Sequence, residues 1–171
     1  QGGVYSHHHQ ERIDMMKNVT IFDLDGTCVD STHRTSILPD GSLDLAHWIE
    51  NSTPEKIFGD TLFPLAQEVR KRQKKGDFVI VCTARVMSFA DFEFLMNEGI
   101  NPDLILSRKE GDTRGDSELK ACKLRRLFNL RQFKNVNKVM FDDKASVRAT
   151  LRKLGISVIH PRKFNERKAA S

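Results

Sequence analysis

From Asn18 onward the chain alternates short, fully apolar runs with longer stretches that repeat apolar residues at helical spacing. Val19-Thr20-Ile21-Phe22 and Phe78-Val79-Ile80-Val81-Cys82 are continuous and rich in β-branched residues, as strands buried on both faces are. Leu104-Ile105-Leu106, Lys138 to Phe141 and Ile156 to Ile159 predict three more strands. Leu62, Leu65, Ala66 and Val69 place a helix over 61–75, which ends in a cationic run before Gly76. One or two helical turns are expected within 44–51. Ser88 predicts the cap of a helix over 89–98 that stops at Gly99, and Asp116 the cap of a helix reaching Leu127. A last helix over 145–154 is closed by Gly155. Strands and helices in alternation predict an α/β fold, a three-layer Rossmann-like parallel sheet with helices on both faces. Functional residues should then collect beyond the carboxyl ends of the strands.

Composition narrows this picture. A chain of 171 residues, 39% hydrophobic and 30% charged, has room for one ordinary core. Residues 1–16 are polar, with His7, His8 and His9 in a row, and read as a tail; 17–171 read as the folded domain. No apolar run approaches the roughly 18 residues of a membrane helix. The absence of a signal-peptide pattern makes the cytoplasm the expected compartment. Cys28, Cys82 and Cys122 are an odd number, widely spaced, and fit reduced thiols better than a disulfide or metal cluster. A net charge of +5 leans weakly toward an anionic partner.

The candidate chemistry lies where the fold predicts it. The first strand runs into Asp23-Leu24-Asp25-Gly26-Thr27, the second into Thr83-Ala84-Arg85, and the fourth into Asp142-Asp143. Lys120 lies near the start of a helix between the last two, with Lys123 as a rival for its place. Each residue alone has an ordinary structural reading, as a helix cap or a solvated charge. Their order along the chain is what coincidence does not supply.

That order resembles the haloacid dehalogenase superfamily of phosphatases, over essentially Val19 to His160. The resemblance implies that Asp23 is a nucleophile and Asp25 a general acid/base. Thr83 would donate to a phosphoryl oxygen, and Lys120 would neutralise Asp23 and phosphate together. It implies Mg²⁺ held by Asp23, the Asp25 carbonyl and Asp143, with Asp142 in support, an oxygen set that suits this hard cation. A signalling receiver module uses similar groups but places its acidic pair first and its lysine last, the reverse of this chain.

Arg34, Arg85 and the segment Arg108-Lys109-Glu110-Gly111-Asp112-Thr113-Arg114-Gly115-Asp116 are similar to the phosphatase domain of bacteriophage polynucleotide kinase-phosphatases. This implies removal of 3′ phosphates from nucleic-acid ends, with Arg34, Arg85 and Arg114 on substrate and Asp116 in support. A nucleotidase, or another small-molecule phosphatase, is the alternative. No phosphate-binding Gly-x-x-x-x-Gly-Lys-Ser/Thr loop occurs in this sequence, so a stand-alone phosphatase domain without the kinase half is expected. Residues Cys28 to Asp60 leave room for a small cap only, with Trp48 in it.

Overall fold

The computed structural model describes residue 16 and residues 18–166. Apart from Met16, the tail with its three histidines lies outside them. Five parallel strands form the central sheet: β1 (Asn18–Phe22), β4 (Phe78–Val86), β5 (Leu104–Arg108), β6 (Asn137–Phe141) and β7 (Ser157–Ile159), in the order β5-β4-β1-β6-β7. Two further strands, β2 (Val29–Asp30) and β3 (Thr61–Leu62), pair antiparallel outside that sheet. The helices are α1 (Leu45–Glu50), α2 (Pro54–Phe58), α3 (Ala66–Lys75), α4 (Phe89–Asn97), α5 (Asp116–Phe128), α6 (Ala145–Arg152) and α7 (Arg162–Asn165).

Strand periodicity sorts the core into two layers. On β1, Val19 and Ile21 join Ile80, Met140, Leu124 and Leu151 in one cluster. Phe22 joins Val79, Val81, Val69 and Phe94 in the other. Alternate residues therefore serve opposite faces, each covered by helices, as two-sided burial of a parallel sheet requires. The α/β reading holds. Phe22 stacks on Phe141 at 5.4 Å between ring centroids, locking β1 to β6 just before both strands deliver their carboxylates.

Two local expectations change. The helix expected over 61–75 begins only at Ala66, because Thr61–Leu62 pairs with β2 and Pro64 disfavours helix at the residue before it. Asp116 is not the cap of α5: Gly115 holds that position, and the Asp116 carboxylate turns to Arg108 and Lys144 instead. The Ser88 cap is a full capping box, with Asp91 as its reciprocal partner. The insertion between β1 and β4 is a small flap made of the β2–β3 ribbon, one 3₁₀ turn at Thr32–Arg34, α1 and α2. Among the described residues no helix is long and apolar enough to cross a membrane.

Candidate active site

Directly after β1 the backbone doubles back. The amides of Thr27, Cys28 and Val29 all donate to the Leu24 carbonyl, at 3.0, 2.9 and 2.9 Å. Leu24 is buried, so the residue between the two aspartates anchors the loop while Asp23 and Asp25 flank it. Gly26 takes a φ of +75°, and a Cβ there would collide with a carboxylate oxygen of Asp143. Glycine is what lets the loops after β1 and β6 approach so closely.

Asp23 is nearly buried and accepts from Lys120 Nζ at 2.8 Å and from the Thr27 hydroxyl at 3.1 Å. Lys120 also donates to Asp142 at 2.6 Å, and both of those residues are buried. Burial pushes the Asp23 carboxyl well above its ordinary value; Lys120 opposes this, while Asp142 and Asp143 reinforce it. Lys120 is held above the ordinary lysine range, because the attraction of Asp23 and Asp142 outweighs its desolvation. Lys123, on the same helix, makes neither contact. Asp142 further accepts the Lys144 amide at 2.9 Å, so this completely buried carboxylate is fixed at both oxygens.

Asp23, Asp142 and Asp143 each bring an oxygen to within 4.8 Å of the others. An all-carboxylate set of this kind suits a small hard cation such as Mg²⁺. The bare Gly26 backbone lets the Asp143 carboxylate sit against the loop after β1.

Asp25 is gripped differently. Arg85 donates to it through two nitrogens, at 3.1 and 2.5 Å, and the Ser31 hydroxyl adds a bond of 2.8 Å. Burial alone would raise the Asp25 carboxyl, but the Arg85 charge and hydrogen bonds bring it below its ordinary value. Arg85 is held from behind by Asp91 at 2.5 Å, the acidic member of the α4 capping box. Thr83, two residues earlier on the same strand, is buried and accepts the Arg85 amide at 3.1 Å. The register between β4 and β5 shifts between Cys82 and Val86, across the segment that carries Thr83 and Arg85.

The other expected substrate residues are placed less directly. Arg34 is fully buried, with Nε and NH2 on Asp60 at 2.8 and 3.0 Å and NH1 on Ser52 at 3.1 Å. Its guanidinium lies 4.2 Å from the Trp48 ring. All its donors point inward, into the flap. Arg114 pairs with Asp112 at 2.7 Å, and Asp116 bonds Arg108 at 3.1 Å and Lys144 at 2.9 Å. The structure thus brings Asp23, Asp25, Thr83, Arg85, Lys120, Asp142 and Asp143 together, whereas Arg34 and Arg114 are taken up by acidic partners.

Three contributors escape sequence reasoning. Asp60 is buried under Arg34, His33 and, at 3.7 Å, Arg85. Its partners lie far away in sequence and no local pattern announces it. Asn165 on α7 accepts from the Leu65 amide and donates to the Thr27 carbonyl, tying the first loop to the far end of the chain. Arg108 bonds the carbonyls of Ala84, Asp112 and Arg114, so it shapes the loop before α5. Its position at the head of the arginine-rich segment was a usable signal.

Comparison with known proteins places the chain by family and by fold. The profile of a family described as bacteriophage T5 5′-deoxynucleotidase matches residues 8–169. The 5′-deoxynucleotidase of Escherichia phage T5 is 36% identical over 89 residues, covering 50% of this chain and 36% of that protein. The chain therefore spans only about a third of the length of that relative. Among solved structures, a haloacid dehalogenase-like hydrolase from Streptococcus pneumoniae superposes with a TM-score of 0.59 at 15% identity, covering 84% of each chain. A chain of the Pnkp1/Rnl/Hen1 RNA repair complex gives a TM-score of 0.55 at 24% identity, covering 85% of this chain and 42% of that one. At these identities the structural likeness speaks for the fold, which is that of the haloacid dehalogenase superfamily.

Proposed function

We propose that this chain, which belongs to the bacteriophage T5 5′-deoxynucleotidase family, is a phosphomonoesterase that removes phosphate from nucleotides through Asp23. The observation that carries the reading is the buried ammonium of Lys120, 2.8 Å from Asp23 and 2.6 Å from Asp142, with Asp25 two residues along the same loop. A carboxylate so placed can attack phosphorus in line, while Lys120 offsets the charge gathering on the phosphoryl oxygens.

In the first step an Asp23 oxygen bonds to phosphorus and the ester oxygen departs with its electron pair. Asp25 supplies that oxygen with a proton. In the second step water attacks the aspartyl-phosphate and Asp25 takes the proton back. Arg85 pairs with Asp25 as a carboxylate, the form the second step uses; for the first step Asp25 carries the proton it took from water in the preceding turnover. Thr83 contributes a hydroxyl from within β4, three residues before the strand ends. Bound Mg²⁺ would be held by Asp23, the Asp25 carbonyl and Asp143, with Asp142 in support, and would lower the repulsion between an anionic nucleophile and an anionic phosphate. Residues 17–171 are read as the unit that carries this chemistry.

Family membership favours a deoxynucleoside monophosphate as substrate. A second reading, 3′-phosphorylated nucleic-acid ends, is supported by the smallness of the flap, whose helices have only 6 and 5 residues. A polymer end could reach a site so thinly covered.

The test is a Mg²⁺-dependent hydrolysis panel of 5′- and 3′-deoxynucleotides and 3′-phosphorylated oligonucleotides. Asp23→Asn serves as the control. The reading expects turnover of 5′-deoxynucleotides and its loss in Asp23→Asn. Wild-type turnover in that variant would sink the mechanism. Cleavage of oligonucleotide ends alone would hand the substrate to the second reading.

A further inference from the structure

The flap contains the only tryptophan of the sequence, Trp48, and the structure surrounds it with more order than a surface ring needs. On one side lies the buried Arg34 guanidinium, 4.2 Å from the ring centroid. Arg34 cannot swing away, since its nitrogens are committed to Asp60 and Ser52. The Ser52 hydroxyl in turn donates to the Trp48 carbonyl at 2.6 Å, closing a small cycle around the residue. The Arg85 guanidinium lies 5.4 Å from the same ring. Trp48 nevertheless remains half-buried, so part of its surface is open to solvent.

The run of neighbours matters. Asp25 lies two residues after Asp23 in the chain, Arg85 reaches Asp25 at 2.5 Å, and the Arg85 guanidinium lies 5.4 Å from the Trp48 ring. In-line displacement puts the leaving oxygen on the side of phosphorus away from the nucleophile. The acid that protonates that oxygen marks where the leaving group emerges. Beyond Asp25 the leaving group therefore meets Arg85 and then the indole. Leu45, one helical turn before Trp48 on α1, is 61% exposed and extends the apolar surface.

We infer that Trp48, held by Arg34, is a specificity-determining residue that stacks the aromatic base of the substrate's leaving nucleoside. The inference rests on the phosphatase reading above and adds the part of the substrate that this reading leaves open. A planar base suits the surface, because an indole stacks on any base and tolerates differences in sequence. It also explains why Arg34 is buried rather than aimed at phosphate: it sets the ring.

The single tryptophan makes the test direct. Emission of the full chain carrying Asp23→Asn, which keeps the ligand intact, is followed while deoxyadenosine 5′-monophosphate or base-free 2-deoxyribose 5-phosphate is added with Mg²⁺. The expected result is saturable quenching by the nucleotide and little by the sugar phosphate. In kinetics, Trp48→Ala should lower the ratio of kcat/KM for the nucleotide to that for the sugar phosphate about tenfold or more, through KM. Trp48→Phe, which keeps a stacking ring and guards against a folding defect, should restore most of the ratio. Equal quenching by both ligands, or equal kinetic losses on both, overturns the proposal. Failure of the phosphatase reading shows separately, as absence of hydrolysis of every phosphomonoester, and the fluorescence comparison still decides the role of Trp48.

Discussion

Lys120 and Asp142 meet at 2.6 Å inside the protein, the lysine from the second turn of α5 and the aspartate from the end of β6. The same ammonium reaches Asp23, so one buried cation serves two buried carboxylates. Removing it strands both. Lys120→Met is expected to cost about 3–5 kcal/mol of stability, the usual penalty for breaking a buried pair. It should also lower kcat by about 100-fold or more, as the loss of a charge-stabilising group does. Lys123→Met, three residues further along α5 and outside both contacts, should change neither by a comparable amount. Urea unfolding and hydrolysis of a deoxynucleotide decide it; similar losses in both variants would remove Lys120 from its special place.

Asp60 organises the flap as Lys120 organises the centre. Its two oxygens take Arg34 at 2.8 and 3.0 Å, and His33 lies 2.8 Å from the first of them. Asp60→Asn leaves the buried Arg34 charge without its counterion and is expected to cost about 3–5 kcal/mol. Because Arg34 backs Trp48, the variant should also shift tryptophan emission in the native state. An unfolding midpoint and spectrum identical to wild type would show that the flap does not depend on this pair.

The parts of this site that were legible in the sequence are those whose signal is local. An apolar run ending in two carboxylates two residues apart marks β1 and its loop without any help from the rest of the chain. The same holds for Asp142-Asp143 after β6 and for the Ser88 cap. Asp60 was illegible because an acidic residue between two helical stretches looks like any solvated loop position, and its partner Arg34 is fixed only by folding. The start of α3 was misplaced because Leu62, Leu65 and Val69 keep helical spacing, although Pro64 and the β2 ribbon decide the backbone. Arginines were the hardest to assign. Arg85, Arg34 and Arg114 look equivalent in sequence, yet one grips Asp25, one is buried in the flap and one rests on Asp112.

The Arg85 fork gives the site a pH signature. Its charge and hydrogen bonds hold the Asp25 carboxyl below its ordinary value in the folded state, against the effect of burial. A depressed carboxyl contributes stability above its unfolded pKa of about 4 and loses it as pH falls through the folded value. Arg85→Gln removes that contribution. The difference in melting temperature between wild type and Arg85→Gln should therefore be largest near neutrality and shrink on acidification below about pH 4. Thermal melts across this range check it, and a constant difference would mean that Arg85 acts through packing alone.

The cysteines offer a check on the fold that needs no activity. Cys28 and Cys82 are buried, and burial pushes the Cys82 thiol up to about 12. Cys122 is exposed on α5. A thiol reagent near pH 8 should titrate a single cysteine in the native protein and all 3 after denaturation. Rapid native reaction of a second thiol would contradict the packing of β4 or of the loop after β1.

Gly26 joins the loop geometry to the three carboxylates proposed to hold Mg²⁺. Its φ of +75° disfavours any side chain, and a Cβ would strike the Asp143 carboxylate. Gly41 has a similar φ of +84° with nothing within 4 Å of a built Cβ, so it isolates the backbone cost. Alanine at either position should lose about 1–2 kcal/mol from the left-handed backbone. Only Gly26→Ala should also displace Asp143, one of the three carboxylates that face one another. Calorimetric titration with Mg²⁺ should then show weaker binding for Gly26→Ala and unchanged binding for Gly41→Ala. Equal Mg²⁺ affinity in both variants would separate Asp143 from the cation, and the close approach at Gly26 would be a matter of loop packing.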